Sequence, residues 1–168
     1  RCARRYGIES HTNLETLLRE LVCIPGILRI RLSSIEINEI TPGIIDLIKN
    51  NSVMAKHLHI PLQSGSDTIL KSMNRLYDTN TFIEKVKHIR KEIPDISITT
   101  DLILGFPGET DELFSETMDT LKKIKFTKIH TFPYSKRSGT KAATMPNQVD
   151  GNIKKCRDRR ERCQENGS

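Results

Sequence analysis

The stretch SITTDLILGFPGET, residues 97–110, decides how the chain is read. Its opening, 97–106, is an apolar, β-rich run broken by one carboxylate, Asp101. Gly105, Pro107 and Gly108 then punctuate the chain. Asp111 and Glu112 follow Thr110, where their charge suits the positive end of a helix. The reading is strand, glycine-containing loop, helix, with Phe114, Met118 and Leu121 on the buried helix face.

The same rhythm extends in both directions. Further β-rich runs are RIRLSSI (29–35), HLHIPLQ (57–63) and KIHTFPYS (128–135). Leu14, Leu17, Leu18, Leu21 and Val22 recur at helical spacing, with Thr12 and Glu15 as a capping box and Pro25-Gly26 as the stop. Thr41-Pro42 opens a helix that buries Ile44, Ile45, Leu47 and Ile48. SDTILKSM (66–73) reads as a short helix capped by Ser66 and Asp67. Phe82, Val86 and Ile89 mark another helix over about 80–92. The strand starts lie about 28, 40 and 31 residues apart, each enough for a parallel βαβ unit with a right-handed crossover. Four strands cannot close a barrel, so the pattern fits a doubly wound sheet or part of a larger barrel. The charged segment NIKKCRDRRERCQENGS (152–168) reads as a surface helix with a frayed end.

At 168 residues the chain is long enough for one domain with its own core. It has no apolar run long enough to span a membrane and no signal peptide, so a cytoplasmic location is expected. It begins with Arg1 rather than Met, as a fragment or processed product does. A net charge of +6 favours a polyanion such as RNA. Cys2, Cys23, Cys156 and Cys163 form neither a compact metal signature nor a disulfide framework. His57 and His59 fall on one side of a strand. With no third ligand evident they are read, like His130, as strand packing with hydrogen bonds, and no metal site is assigned.

In parallel α/β folds chemistry gathers at the C-terminal strand ends. Those ends carry Ser33, Ser34 and Glu36, then Gln63, Ser64, Gly65 and Ser66, then Asp101 and Gly105, then Tyr134, Ser135, Lys136 and Arg137. Asp101 and Gln63 sit within or against apolar strands, where a polar group without a partner is costly. Both are therefore read as functional. GFPGET is neither a Walker loop nor a dinucleotide fingerprint, but its glycines let backbone approach a ligand.

Taken together, RIRLSSIE, HLHIPLQSGSDTILKSMNR, ITTDLILGFPGETDELF and IHTFPYSKRSGTKAATM resemble the methylthiotransferase branch of the radical S-adenosylmethionine superfamily, from about Tyr6 to about Arg159. RIRLSSIE and YSKRSGTKAATM look most like enzymes for N6-threonylcarbamoyladenosine in tRNA. Other members of the branch act on isopentenyladenosine in tRNA or on a ribosomal-protein aspartate. The resemblance implies an α/β fold: a parallel (β/α) partial-barrel fragment, about strands three to six, over residues 1–147. Residues 148–168 are then a charged helix and tail leading towards a C-terminal domain. It also implies S-adenosylmethionine as cofactor and two [4Fe-4S] clusters in the full-length parent, with their ligands absent from this chain. The implied partners are the tRNA anticodon stem-loop and an electron donor, and the implied reaction adds a methylthio group to C2 of the modified adenosine.

By the same resemblance, Ser34 and Glu36 serve the ribose and methionine part of S-adenosylmethionine, and Gln63 and Ser64 come next around the barrel. Ile103 and Gly105 flank the adenine, while Phe132 and Tyr134 bring the last strand's backbone towards it. Asp101 orients Gln63 or polar substrate groups, and Arg137 pairs with a carboxylate or phosphate. No catalytic residue is implied. The CxxxCxxC motif, the first two barrel strands, the N-terminal domain and the C-terminal RNA-binding domain are missing, so the chain alone is expected to be inactive. The competing readings are a different radical S-adenosylmethionine or conventional barrel enzyme, and a non-catalytic module that binds RNA or a partner.

Overall fold

The computed structural model describes residues 12–165, with side chains through Glu161. In chain order the elements are α1 (Leu14–Leu21), α2 (Pro42–Asn50), β1 (His57–His59), α3 (Asp67–Ser72) and α4 (Thr79–Glu92). β2 (Ser97–Leu104), α5 (Asp111–Ile124), β3 (Lys128–Pro133) and α6 (Gly151–Glu165) follow. The strands are ordered β1-β2-β3. The chain forms two compact units, one of residues up to Pro61 with Lys85–Ile98, the other of Leu62–Glu84 with the chain from Thr99 onward.

In the first unit, α2 begins as its sequence dictates. The Thr41 hydroxyl accepts the Ile44 N–H (3.2 Å), Pro42 occupies the first turn, and Ile44, Ile45, Leu47 and Ile48 are buried. α1 departs from expectation. Its cap is Asn13, whose side chain accepts the Thr16 N–H (2.9 Å), not Thr12. Glu15 forms no capping box, because its carboxylate accepts the Thr41 hydroxyl (2.6 Å) and Arg19 (2.8 Å) instead. α1 also ends at Leu21, before Pro25-Gly26.

RIRLSSI is not a regular strand. It makes isolated parallel bridges at Ile30 with Met54 and at Ser34 with His59. The bonds are Ile30 N–H to the Val53 carbonyl (2.8 Å), Ala55 N–H to the Ile30 carbonyl (2.8 Å) and Ile35 N–H to the His59 carbonyl (3.0 Å). The direction agrees with the expected parallel order, but a β-rich run becomes a ladder only where a partner matches it continuously. HLHIPLQ likewise yields a short strand, and its end returns to pairing at Gln63 alone.

In the second unit, β2 and β3 pair in parallel from Thr99 with Lys128 to Leu104 with Pro133. The Thr110 hydroxyl caps α5 by accepting the Leu113 N–H (3.3 Å), and Phe114, Met118, Leu121 and Ile124 are buried. Gly65 lies so close to α5 that a Cβ would stand 2.8 Å from the Thr117 Cα. Its N–H and carbonyl bind the Thr117 and Thr120 hydroxyls (3.2 and 2.9 Å). The expected caps of α3 are redirected. Ser66 donates to Glu116 (2.7 Å), and Asp67 accepts the Thr79 N–H (2.8 Å) at the start of α4.

The reading of the last helix as a surface element is overturned for one of its faces. Arg157 and Glu161, one turn apart on α6, are 4% and 1% exposed. Residues 166–168, where a frayed end was expected, lie outside the described residues.

Candidate functional site at the strand ends

Alternation along β2 divides its side chains between two faces. Leu102 and Leu104 are fully enclosed, whereas Asp101 and Ile103 are half-buried. Register partners in a parallel pair share a face, so His130 stands beside Asp101 and Phe132 beside Ile103. Phe132 is 52% exposed. Thr131, on the other face of β3, donates its hydroxyl to Asp158 of α6. The open face is thus the one bearing Asp101, Ile103, His130 and Phe132.

Gln63 is held against this strand by its backbone. Its N–H donates to the Asp101 carbonyl and its own carbonyl accepts the Ile103 N–H, both at 2.9 Å. The preceding residue is tied too, with the Leu62 N–H on the Thr100 hydroxyl and the Leu62 carbonyl on the Tyr77 hydroxyl, again both at 2.9 Å. Gln63 sits at φ +68°, in the left-handed region. A side chain there costs about 1–2 kcal/mol, and such outliers concentrate at functional sites.

Two expected site residues already have internal partners. Ser64 is 2% exposed, and its hydroxyl accepts the Ser66 N–H (3.2 Å) and lies 3.5 Å from that of Thr117. Gly105 is buried, and its N–H donates to Glu109 (3.1 Å). The Ser64 hydroxyl and the Gly105 amide are thus both engaged within the loops. Tyr134 donates its N–H to the Leu104 carbonyl (2.7 Å), and its ring meets Phe106 edge-on at 5.3 Å. Arg137 is exposed. Ser34, exposed, and Glu36, half-buried, belong to the first unit, on the segment leading to the turn at Ile37–Glu39.

In the first unit, Arg31 Nε donates to His57 Nδ1 (3.1 Å). Burial first, and then the charges of Arg31 and His59, hold the His57 imidazole below its ordinary value. Among the described residues no three His, Cys, Asp or Glu side chains are grouped to hold a metal, and Cys23 and Cys156 are both exposed. His130 is the one residue of the open face that sequence reading set aside. Its alternation with Phe132 was visible, but its place beside Asp101 depends on register between strands about thirty residues apart.

Residues 8–121 match the Radical SAM superfamily. The chain belongs to this superfamily. It is 47% identical over 143 residues to the threonylcarbamoyladenosine tRNA methylthiotransferase MtaB of Bacillus subtilis, which covers 84% of this chain and 32% of that protein. It is 46% identical over 152 residues to the tRNA-2-methylthio-N(6)-dimethylallyladenosine synthase of Acetivibrio thermocellus, covering 89% of this chain and 32% of that one. The chain therefore spans about a third of the length of these curated relatives. Among solved structures, the radical SAM enzyme coproporphyrinogen III oxidase (HemN) of Escherichia coli superposes with a TM-score of 0.70 at 19% identity. That alignment covers 92% of this chain and 36% of HemN, and it shows the radical SAM fold. The parallel β2–β3 pair, with α6 meeting one face of β3 through Thr131 and with Asp101, Ile103, His130 and Phe132 on the other face, is this chain's part of that fold.

Proposed function

We propose that this chain is the barrel-wall part of a cytoplasmic tRNA methylthiotransferase that modifies C2 of N6-threonylcarbamoyladenosine beside the anticodon. The observation that carries the reading is the 47% identity to the Bacillus subtilis threonylcarbamoyladenosine enzyme. The 46% identity to a dimethylallyladenosine enzyme favours a second reading, with that nucleoside as substrate. No helix among the described residues is long and apolar enough to cross a membrane. The partners in this reading are the anticodon stem-loop and an electron donor for the iron–sulfur chemistry.

The open face of β2 and β3 suits S-adenosylmethionine. Ile103 and Phe132 form an apolar platform on which a flat adenine stacks. Asp101 and His130 supply polar groups beside it, and Gln63 offers its side-chain amide from a backbone already fixed. Arg137 pairs with a phosphate of the RNA. The Tyr134 amide is engaged with Leu104, so this residue contributes its ring and position. S-adenosylmethionine, bound with [4Fe-4S] clusters in the complete enzyme, supplies the radical and methyl-transfer chemistry. The described residues do not fit a cluster, since they offer no grouped ligand set. The chain's own part is to bind and orient.

The test is genetic and chemical. The gene product containing this chain is expressed in bacteria lacking methylthiolated threonylcarbamoyladenosine, and tRNA nucleosides are resolved by mass spectrometry. Appearance of the 2-methylthio form is expected. Methylthiolated dimethylallyladenosine alone would transfer the proposal to the second reading, and neither product would refute both.

A further inference from the structure

Helix α6 grips the loop that follows β2. Arg157 Nη1 donates to Glu109 Oε1 (2.8 Å) and to the Glu109 carbonyl (3.2 Å), and Nη2 donates to Asp111 Oδ1 (2.8 Å). Arg157 and Glu109 are 4% and 6% exposed. The other Glu109 oxygen accepts the Gly105 N–H (3.1 Å). Gly105 has φ +70°, and the Lys154 stem of α6 occupies the space that a Cβ would take. Lys154 Nζ in turn donates to the Tyr134 carbonyl (2.9 Å) at the end of β3.

A buried ion pair is a poor source of stability, because the loss of hydration offsets the attraction and apolar side chains of like volume do as well. Here the cost is larger still, since Arg157 Nε is buried with no hydrogen-bond partner among the described residues. What a forked guanidinium supplies beyond stability is direction. It fixes Glu109, and Glu109 fixes the amide at the end of β2.

We propose that Arg157 is a positioning residue: through Glu109 it sets the backbone at Gly105, and so the presentation of Ile103 to the adenine of S-adenosylmethionine. The ligand in this statement rests on the function proposed above, whereas the Arg157–Glu109–Gly105 linkage does not.

Amide hydrogen exchange on the isotopically labelled chain tests the linkage. Arg157→Lys keeps the charge and loses the fork. The Gly105 amide should then exchange roughly tenfold faster and shift in the spectrum, while Leu102 and Leu104 stay within about twofold. Titration calorimetry with S-adenosylmethionine should show weaker binding by the same folded variant. Should Arg157→Lys not fold, Glu109→Gln is read in the same way. It retains an oxygen for Gly105 but removes the charged acceptor that Arg157 Nη1 holds, so the Gly105 resonance should move and binding should weaken. An unchanged Gly105 amide, or a parallel rise at every amide that signals global destabilisation, overturns the proposal. A wild-type chain that does not bind S-adenosylmethionine overturns its ligand half and the reading of the site, and Gly105 exchange still decides the linkage.

Discussion

Replacing Thr100 by Val tests how the strained Gln63 is held. Thr100 is fully enclosed, and its hydroxyl, 2.9 Å from the Leu62 nitrogen, receives an amide that no carbonyl takes. One residue later the pairing is by backbone, Gln63 to Asp101. Val has nearly the same shape and no acceptor. A buried amide left unpaired costs about 1–3 kcal/mol, and the methyl that replaces the hydroxyl recovers at most about 0.8 kcal/mol of it. With that recovery in full the net loss should be about 0.2–2.2 kcal/mol, or up to roughly 9 °C in melting temperature for a chain of this size. Urea unfolding followed by circular dichroism measures the loss, and hydrogen exchange at Leu62 locates it. Thr100→Ser, which keeps the oxygen, should leave the Leu62 amide protected even though it loses a methyl. A Thr100→Val chain as stable as wild type, with Leu62 still protected, would refute the reasoning.

Gln63→Gly should raise the unfolding free energy measured in urea by up to about 1 kcal/mol, because glycine adopts the left-handed region without strain. The same change, like Gln63→Ala, should weaken S-adenosylmethionine binding by roughly 1–3 kcal/mol in calorimetry, and unchanged affinity would remove Gln63 from the site. Phe82→Ala should cost about 3–5 kcal/mol in urea, since Phe82 is fully buried between the rings of Tyr77 and Phe126 at 5.7 and 6.1 Å. The Thr41 hydroxyl and then Arg19 lower Glu15, Lys56 lowers Asp95 and Arg157 lowers Asp111. Carboxylates lowered in the folded state stabilise it above their unfolded values of 4.5 and 3.8, and this stability is lost as the pH falls through the folded values. His57, also lowered, adds a loss that begins below about 6.5, whereas Glu109, raised chiefly by burial, acts in the opposite sense. Melting temperature should therefore fall on acidification below about pH 4.5, and a steady rise there would contradict these assignments.

Much of the framework was legible because its causes are local. Thr41-Pro42 and Thr110 start helices where the sequence says they should, since a cap is satisfied within three residues. The buried stripes of α2 and α5, and the strands at Ser97–Leu104 and Lys128–Pro133, follow from periodicity alone. Asp101 stands out in the sequence and Ile103 and Phe132 follow from the resemblance; strand register puts the three on one face of the β2–β3 pair. The motifs also carried the superfamily, which the match over residues 8–121 establishes.

What the sequence left open depends on groups far along the chain. Thr41, 26 residues away, draws Glu15 out of a capping box, and the cap becomes Asn13. RIRLSSI has strand composition, yet its pairing with the β1 region supports only two bridges. The partners of Ser64 and Gly105, Thr117 and Glu109, lie on or before a helix that sequence reading did not connect to them. The charges of α6 look solvated in one dimension, but two of them lie buried, with Arg157 reaching Glu109 across 48 residues. Periodicity and capping are properties of a few consecutive residues and can be read from them. Strand register, and the face on which a charge is buried, are set by the surface that packs against it, and only the folded chain brings that surface into place.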